Sequence, residues 1–378
     1  MVRQLSEITA KILNSADAID AAVWNRLASE SGPYNPFIQQ RFFNALEKSG
    51  SACEKTGWKP FHVSIERDNE VIGIVPMYAK GHSQGEYVFD YAWANAYYRY
   101  GMPYYPKIVM SVPFTPVEGK RIFSQNKKDA IDSLKSLTEH ARKKDFSSIH
   151  ALYVEEDEKN VYEEMNFIKR IDCNYRWTNK GYEDFEDFLS KFVSRKRKNI
   201  KKERDLIKRM NIKFKKVSNV TDKIWEEFYL FYALTYARRG QRPYLTLEFF
   251  KELKNLDPIV IFAHKDDYNI AAALFFKSND TLYGRYWGAK EDINFLHFET
   301  CYYQGIELAI EQKFKYFDPG IQGQHKLKRG FEPIINSSYH WIKNSEFRTA
   351  IKKFCIEESQ HIELYFKQAL KSLPFSNV

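Results

Sequence analysis

Cysteine is scarce in this 378-residue chain, and its few copies stand far apart. The four are Cys53, Cys173, Cys301 and Cys355. No two of them form a CxxC pair, which argues against a zinc module or a disulfide framework. The nine histidines are equally scattered, with no HxH or HExxH spacing. We therefore expect no metal centre.

Long apolar runs are also missing. No stretch approaches the roughly 20 apolar residues of a membrane-spanning helix, and the first twenty residues lack the apolar core of a signal peptide. We therefore expect no transmembrane segment and a cytoplasmic location. The chain is not poor in apolar residues overall, since 44% are hydrophobic and 16% aromatic. This composition and length favour a folded globular protein with room for two ordinary domains.

Acidic residues are outnumbered, and the imbalance is concentrated in one segment. The net charge is +9, and residues 191–209 hold ten Lys or Arg against Glu203 and Asp205. A focused basic segment suggests an anionic partner, such as RNA, a phosphorylated cofactor or a lipid head group. From charge alone, a solvated helix face explains the segment slightly better. Ser194 is expected to cap the predicted basic helix, with Ile200, Ile207 and Met210 on its buried side.

Residues 259–341 contain most of the residues that suggest chemistry. Three short apolar runs separated by polar turns predict an antiparallel meander. The predicted strands are Ile259–Ala263, Ile270–Phe276 and Leu282–Trp287. Apolar residues then recur at spacings of three and four from Phe295 to Ile310, which predicts an amphipathic helix. A strand at Lys315–Asp318 and a glycine-bracketed basic loop at Gly323–Phe331 follow, so we expect an α/β layout with a site at the strand ends.

The first half of the sequence repeats this order. Predicted strands at Phe61–Ile65, Val71–Met77 and Tyr87–Tyr91 are followed by a helix at Lys128–Lys144. The third strand of each half ends in aromatic residues, so we interpret the chain as a duplication. The predicted divisions are an N-terminal domain at 1–180, a C-terminal domain with the active site at 181–345, and a helical tail at 346–378.

Six strings of the sequence resemble a known family. They are YGRYWG (283–288), HFETCYYQGIE (297–307), GQHK (323–326), RGF (329–331), PFTPVEGKR (113–121) and SRKRKNIKKER (194–204). The chain resembles the N-acyltransferases of the GNAT superfamily that are labelled peptidoglycan biosynthesis proteins. It is more distantly similar to the Fem-type transferases, which carry two GNAT-like domains and attach amino acids from aminoacyl-tRNA to a peptidoglycan precursor.

The resemblance implies an α/β (α+β) fold of two tandem GNAT-like domains, each a mostly antiparallel mixed sheet flanked by helices. It also implies acyl or aminoacyl transfer to an amine, with acyl-CoA or aminoacyl-tRNA as co-substrate and no tightly bound cofactor. Neither half carries the glycine-rich Q/R-x-x-G-x-G/A turn that holds the CoA pyrophosphate. The basic helix suits a tRNA backbone instead. The predicted carrier-binding residues are Arg195, Lys196, Arg197, Lys198 and Lys201.

The other predicted site residues lie in the second half. The catalytic candidates are Glu299, His325 and Asp318, and the substrate-binding candidates are Arg285, Tyr283, Trp287, Lys326 and Arg329. Each has a structural alternative. Arg285 in a buried strand needs an anionic partner, which would be a ligand or Glu299. His297 and Cys301 share a helix face, where a buried thiol beside a histidine is the simpler explanation.

Two further interpretations come from the aromatic and basic segments. Tyr97, Tyr98 and Tyr100 are expected to belong to a core. The competing functional hypothesis is a non-catalytic RNA-binding protein that uses the basic helix and exposed aromatic side chains. It predicts binding with a steep salt dependence and no acyl transfer.

Overall fold

The computed structural model describes residues 8–321 and 323–376. The strands are β1 (Ile8–Leu13), β2 (Trp58–Pro60), β3 (His62–Arg67), β4 (Glu70–Val75), β5 (Tyr78–Lys80), β6 (Lys107–Met110), β7 (Phe123–Ser124), β8 (Ser148–Val154), β9 (Ile168–Thr178), β10 (Ile212–Val217), β11 (Ile259–Lys265), β12 (Tyr268–Lys277), β13 (Thr281–Ala289), β14 (Tyr316–Asp318) and β15 (Glu332–Ile342). The helices are α1 (Ala21–Ser31), α2 (Gln40–Lys48), α3 (Tyr91–Arg99), α4 (Lys127–Lys143), α5 (Lys159–Glu164), α6 (Phe185–Ser190), α7 (Ser194–Arg209), α8 (Asp222–Ala237), α9 (Leu247–Glu252), α10 (Leu296–Phe298), α11 (Gln304–Glu311) and α12 (Ser345–Lys371). A π-helical turn, Glu299–Tyr303, joins α10 to α11.

The contacts between Cα atoms divide the chain into two compact units. Unit 1 comprises the described residues up to Asp172 together with Asn336–Ile362, and unit 2 comprises Cys173–Ile335 together with the described residues from Glu363 onward. These units do not follow the predicted boundaries at 1–180, 181–345 and 346–378. The reason is that β9, β15 and α12 each begin in one unit and end in the other.

Unit 1 contains two sheets. Their strand orders are β1-β3-β4-β7 and β15-β8-β6-β5-β2. The β3–β4 hairpin turns at Asp68 and Asn69, which both have positive φ (51° and 67°), as a tight primed turn requires. Strands β6 and β8 are parallel and are connected through α4. Helix α4 buries apolar residues at spacings of three and four, and its N-cap Asn126 accepts a hydrogen bond from the Asp129 N–H.

Unit 2 has one sheet, with the order β10-β11-β12-β13-β14-β9. The predicted meander is confirmed, because β10 to β13 pair antiparallel in sequence order. Strands β13 and β14 are parallel and are connected through α10, the π-helical turn and α11. A Cβ atom at Gly288 would lie 2.1 Å from the Phe231 carbonyl, so only glycine lets α8 pack this closely on β13.

The predicted third strand of the first half is wrong. Residue 91 begins helix α3, and the strand that follows the β3–β4 hairpin is the earlier β5. Helix α3 buries Trp93 and Tyr97, which are four residues apart, on one side. The expectation of a core position is also wrong for Tyr98 and Tyr100, which are 84% and 78% exposed.

The described helices include none that combines the length and the apolar character needed to cross a bilayer. Within the same described residues, no group of three or more His, Cys, Asp or Glu side chains is placed to hold a metal ion.

Candidate functional site

Unit 2 opens a small pocket where its parallel strands separate. β13 and β14 pair only from Thr281 opposite Tyr316 to Tyr283 opposite Asp318. Pro319 and Gly320 end β14 there, whereas β13 continues to Ala289. Beyond Tyr283, the edge of β13 that no longer pairs with β14 borders a cavity of about 70 Å³. Its lining includes Arg285, Trp287, His297, Cys301, Tyr302 and Pro319.

Arg285 and Asp318 form a two-pronged ion pair at this pocket. The two guanidinium nitrogens lie 3.1 and 2.9 Å from the two Asp318 oxygens, and the Gly320 N–H donates to Asp318 Oδ1 at 2.8 Å. Burial pushes the pKa of Asp318 upward, but the Arg285 guanidinium, the Gly320 N–H and Lys326 together hold the pKa below its usual value. Arg285 therefore pairs with Asp318, whereas the predicted alternative partner, Glu299, pairs with Arg204.

Glu299 belongs to a different ion pair. Its carboxylate accepts hydrogen bonds from Arg204 Nε at 3.1 Å, Arg204 Nη2 at 2.9 Å and Gln304 Nε2 at 3.0 Å. Arg204 also contacts Glu307 at 2.8 Å. Burial raises the pKa of Glu299, and Arg204 opposes that rise. Glu299 lines a separate cavity of about 460 Å³ together with Arg204 and Gln304, and its predicted role as a base stays a prediction.

His325 lies on a 3-10 turn, Gln324–Arg329, bracketed by Gly323 and Gly330, which both have positive φ. Its Nε2 is 3.0 Å from the Tyr302 hydroxyl, which joins the turn to the pocket wall. Burial lowers the pKa of His325 to about 4, with Arg329 and Lys326 adding to the effect. The imidazole is therefore neutral at neutral pH.

Lys326 follows His325 and is almost fully buried. Its Nζ donates to the Gly320 carbonyl at 2.7 Å and to the Ile321 carbonyl at 3.2 Å. Burial lowers the pKa of Lys326 to about 7, although Asp318 acts in the opposite direction. A substantial share of this amine is therefore unprotonated at neutral pH, a state in which it can accept a proton.

Arg329 connects the same turn to the basic helix. Its Nη2 contacts both oxygens of Glu203 at 2.8 Å, and its Nη1 donates to the His325 carbonyl at 2.9 Å. The guanidinium also lies 3.5 Å from the centre of the Phe298 ring. These contacts engage Arg329 within the protein, and its predicted role in substrate binding stays a prediction. The neighbouring Lys328 is exposed.

Sequence reasoning did not single out Glu203, Arg204, Tyr302 or Tyr303. A signal for the first two was present, because Glu203 and Arg204 lie between Ile200 and Ile207 at helical spacing on the buried side of α7. For the tyrosines there was none, since the π-helical turn that sets their direction has no sequence pattern of its own. Tyr303 donates to Glu203, and Tyr302 reaches His325.

The remaining predicted binding residues fall into two places. Tyr283 and Trp287 lie on β13, where the Arg285 guanidinium is 5.1 Å from the Tyr283 ring and the Trp287 ring is 5.2 Å from His297. Arg195, Lys196, Arg197, Lys198 and Lys201 lie on α7. Arg197 donates to the Ser190 carbonyl and Lys201 pairs with Glu186. In the described part of the chain, Arg195, Lys196 and Lys198 form no ion pair.

The architecture defines a class of α/β protein shared with several solved structures. One is a conserved protein of unknown function from Bacteroides thetaiotaomicron VPI-5482, at 13% identity and a TM-score of 0.52, covering 88% of this chain and 99% of that one. FemX matches at 12% identity and a TM-score of 0.50, covering 88% and 98%. L-PGS from Bacillus licheniformis matches at 9% identity and a TM-score of 0.52, covering 81% and 92%. These likenesses confirm the predicted fold class.

Residues 15–377 match the model of the FemAB-like family, described as peptidoglycan biosynthesis/recognition, and the chain belongs to that family. Membership confirms the resemblance drawn from the six sequence strings. A search of the curated proteins finds no match to this chain.

Proposed function

We propose that this protein transfers an acyl or aminoacyl group from an activated carrier to an amine, in a cytoplasmic process related to peptidoglycan. The observation that carries the proposal is the pocket at the separation of β13 and β14, with a buried lysine of pKa about 7 on the adjoining turn. FemAB-like membership supports the peptidoglycan context.

The proposed step is attack of the acceptor nitrogen on the carbonyl carbon of the carrier ester or thioester. The bond from that carbon to the carrier oxygen or sulfur breaks, and the amide bond forms. Lys326 takes the proton that the amine loses and returns it to the departing carrier group. With the His325 Nε2–H tautomer donating to Tyr302, the Tyr302 O–H is left to stabilise the oxyanion.

The other charged groups position Lys326 and Tyr302. Arg285 and Asp318 hold the segment whose carbonyls, at Gly320 and Ile321, fix the Lys326 ammonium. Glu299 serves with Arg204 as a structural pair. The cavity of about 70 Å³ is far smaller than the roughly 150 Å³ that holds a benzene ring. The transferred group is therefore one of few heavy atoms.

The carrier that fits best is aminoacyl-tRNA. The sixteen residues of α7 span about 24 Å. Along one face of this helix lie Arg195, Lys198, Lys202 and Arg209, which are exposed and without ion-pair partners in the described chain. An extended row of cations suits an RNA backbone better than the compact phosphates of coenzyme A. The missing glycine-rich turn points the same way.

The test is a transfer assay with charged tRNAs and acyl-CoAs as separate donors and peptidoglycan stem peptides as amine acceptors. Transfer by the wild-type protein should disappear in Lys326→Met and persist in Lys328→Met, a matched change two residues away at an exposed site. The competing reading is a non-catalytic RNA-binding protein, which the free cations of α7 favour. RNA binding without transfer from any donor would establish that reading and overturn the proposed function.

A further inference from the structure

An exposed aromatic loop begins with the last two residues of helix α3 in unit 1 and continues beyond the helix. We define it as residues 98–103, with the sequence Tyr-Arg-Tyr-Gly-Met-Pro, and every one of them is exposed. Tyr98 is 84% exposed, Tyr100 78% and Met102 37%. Gly101 has a φ of +67°, and a side chain there would meet nothing within 4 Å, so the loop turns in open space. Tyrosines this exposed are unusual in a folded domain.

The loop is held in place from beneath. The Tyr97 ring stacks on Phe347 at 3.9 Å, and the Tyr100 ring meets the same Phe347 edge-on at 5.7 Å. The Met102 N–H donates to the Tyr97 carbonyl at 3.0 Å. These contacts anchor the backbone of the aromatic loop while leaving Tyr98 and Met102 free to contact a partner.

A basic rim adjoins the loop. Its members are Arg99, Lys143, Lys144, Lys343 and Arg348. Hydrogen bonds connect three of them, because Arg348 donates to the Lys343 carbonyl at 3.1 Å and Lys343 Nζ donates to the Lys144 carbonyl at 2.7 Å. None of the five forms an ion pair with another described residue. The carboxylates within four residues of these cations in sequence are Glu139, Asp145 and Glu346, so the rim of five cations is net positive.

We propose that the aromatic loop and the basic rim form a surface that docks on bilayers containing anionic lipids. Tyrosine is suited to the headgroup level of a membrane, since its ring is apolar and its hydroxyl polar. Met102 and Pro103 add exposed apolar surface next to the tyrosines, and the rim contacts the anionic headgroups. This inference does not depend on the proposed acyl transfer.

The composition of the loop tip favours lipid over RNA. Exposed tyrosines with a neighbouring arginine can also stack on unpaired bases. Met102 and Pro103, however, offer neither a planar ring for stacking nor a side-chain hydrogen bond to a base. Exposed apolar side chains beside a basic surface are what insertion into a lipid interface requires.

The experiment is co-sedimentation of the full chain with vesicles of phosphatidylcholine alone or mixed with phosphatidylglycerol. We expect binding to the anionic vesicles, reduced about tenfold in the Tyr98→Ser/Tyr100→Ser variant through lost apolar contact. Arg99→Gln should reduce it about fivefold. Tyr268→Ser is the matched control, because Tyr268 is a 45% exposed tyrosine of unit 2, and its binding should equal that of the wild type.

Two kinds of result would overturn the inference. One is a failure of the vesicle test itself, either because the wild-type chain does not prefer anionic vesicles or because the double tyrosine variant binds them equally well. The other is a variant that keeps vesicle binding but loses affinity for single-stranded RNA, which would make the loop an RNA site. Exposed substitutions of this kind leave the fold intact, and unchanged thermal unfolding verifies that for each variant.

Discussion

Lys326 and Lys328 stand two residues apart in one basic string, yet the fold gives them opposite environments. Lys326 is buried against two carbonyl groups, and Lys328 is exposed. The sequence predicted a basic cluster around 326–329 and could not separate its members. The 3-10 turn decides which side chains point inward, and no sequence pattern distinguishes that turn from a loop.

Lys326→Met should lower turnover by about two to four orders of magnitude, because the proposed proton acceptor is lost. In the wild type, the rate should rise with pH through about 7, since the folded protein holds the pKa of Lys326 near that value and the neutral form rises above it. Titration of His325 cannot produce this rise in rate near pH 7, because its pKa is about 4. The measurement is a pH–rate profile under single-turnover conditions.

The profiles of two variants test whether Lys326 causes the rise in rate near pH 7. Lys328→Met should keep both the wild-type rate and this rise. A Lys326→Met protein that retains the rise would show that the acceptor amine or another group titrates there, and the assignment of Lys326 would be abandoned.

Glu299→Gln should act on stability rather than on chemistry. The change leaves the half-buried Arg204 guanidinium without its main partner, and breaking a buried pair costs about 3 kcal/mol. Chemical denaturation measures this loss, and transfer per folded molecule should stay within a few-fold of the wild type. If stability is unchanged while turnover drops a hundredfold, Glu299 is the base that the sequence suggested.

Among the elements, amphipathic periodicity predicted most of unit 2 correctly. The meander, the helix after β13 and the basic helix α7 lie where apolar spacing placed them, with ends shifted by a few residues. The strand predicted in the segment 87–100 was wrong because a dense aromatic run is typical of both strands and buried helices. Only the burial of Trp93 with Tyr97, four residues on, distinguishes the two. The pairing of Arg285 with Asp318 joins residues 33 positions apart, which no local pattern encodes.

Neutralising the free cations of α7 should weaken RNA binding and reduce its salt dependence. The variant is Arg195→Gln/Lys198→Gln/Lys202→Gln, chosen because all three side chains are exposed and without ion pairs among the described residues. Each phosphate contact contributes about 0.7 to 0.9 to the slope of log K against log salt, so a loss of up to about 2 to 3 is expected.

The control for α7 removes two charges from another helix. Lys128→Gln/Lys135→Gln on α4 changes exposed lysines of unit 1 and should leave the slope nearly unchanged. Filter binding across a salt series measures both variants. Equal slopes for the α7 variant and the wild type would place the carrier elsewhere.

Across the whole molecule, the buried lysines of the two units have different surroundings. Unit 1 encloses Lys107, which is fully buried and donates to Ser83 Oγ at 2.9 Å and Glu86 Oε2 at 2.7 Å. Unit 2 places its buried lysine beside a pocket. Both contain a hairpin and a parallel strand pair connected through a helix. The duplication of a single ancestral unit remains a prediction, which superposition of the two units would test.

Lys107→Met should therefore destabilise the protein by about 3 to 5 kcal/mol, because Glu86 and Asp90 lose their buried cation. Transfer per folded molecule should be unaffected if the reactive groups belong to unit 2. Denaturant titration and an assay normalised to folded protein measure the two effects. Loss of transfer without loss of stability would assign chemistry to unit 1.

The π-helical turn at Glu299–Tyr303 also affects how the protein tolerates insertions and deletions during evolution. It adds a residue to a helix that otherwise advances about 100° per residue. An in-frame loss of a single codon there would restore regular winding and rotate His297 relative to Ile306 by that angle. The apolar side of α11 would stay packed on the sheet, whereas His297 in the pocket wall would turn away from the pocket. Natural length variation in this helix is therefore expected to abolish chemistry long before it abolishes folding.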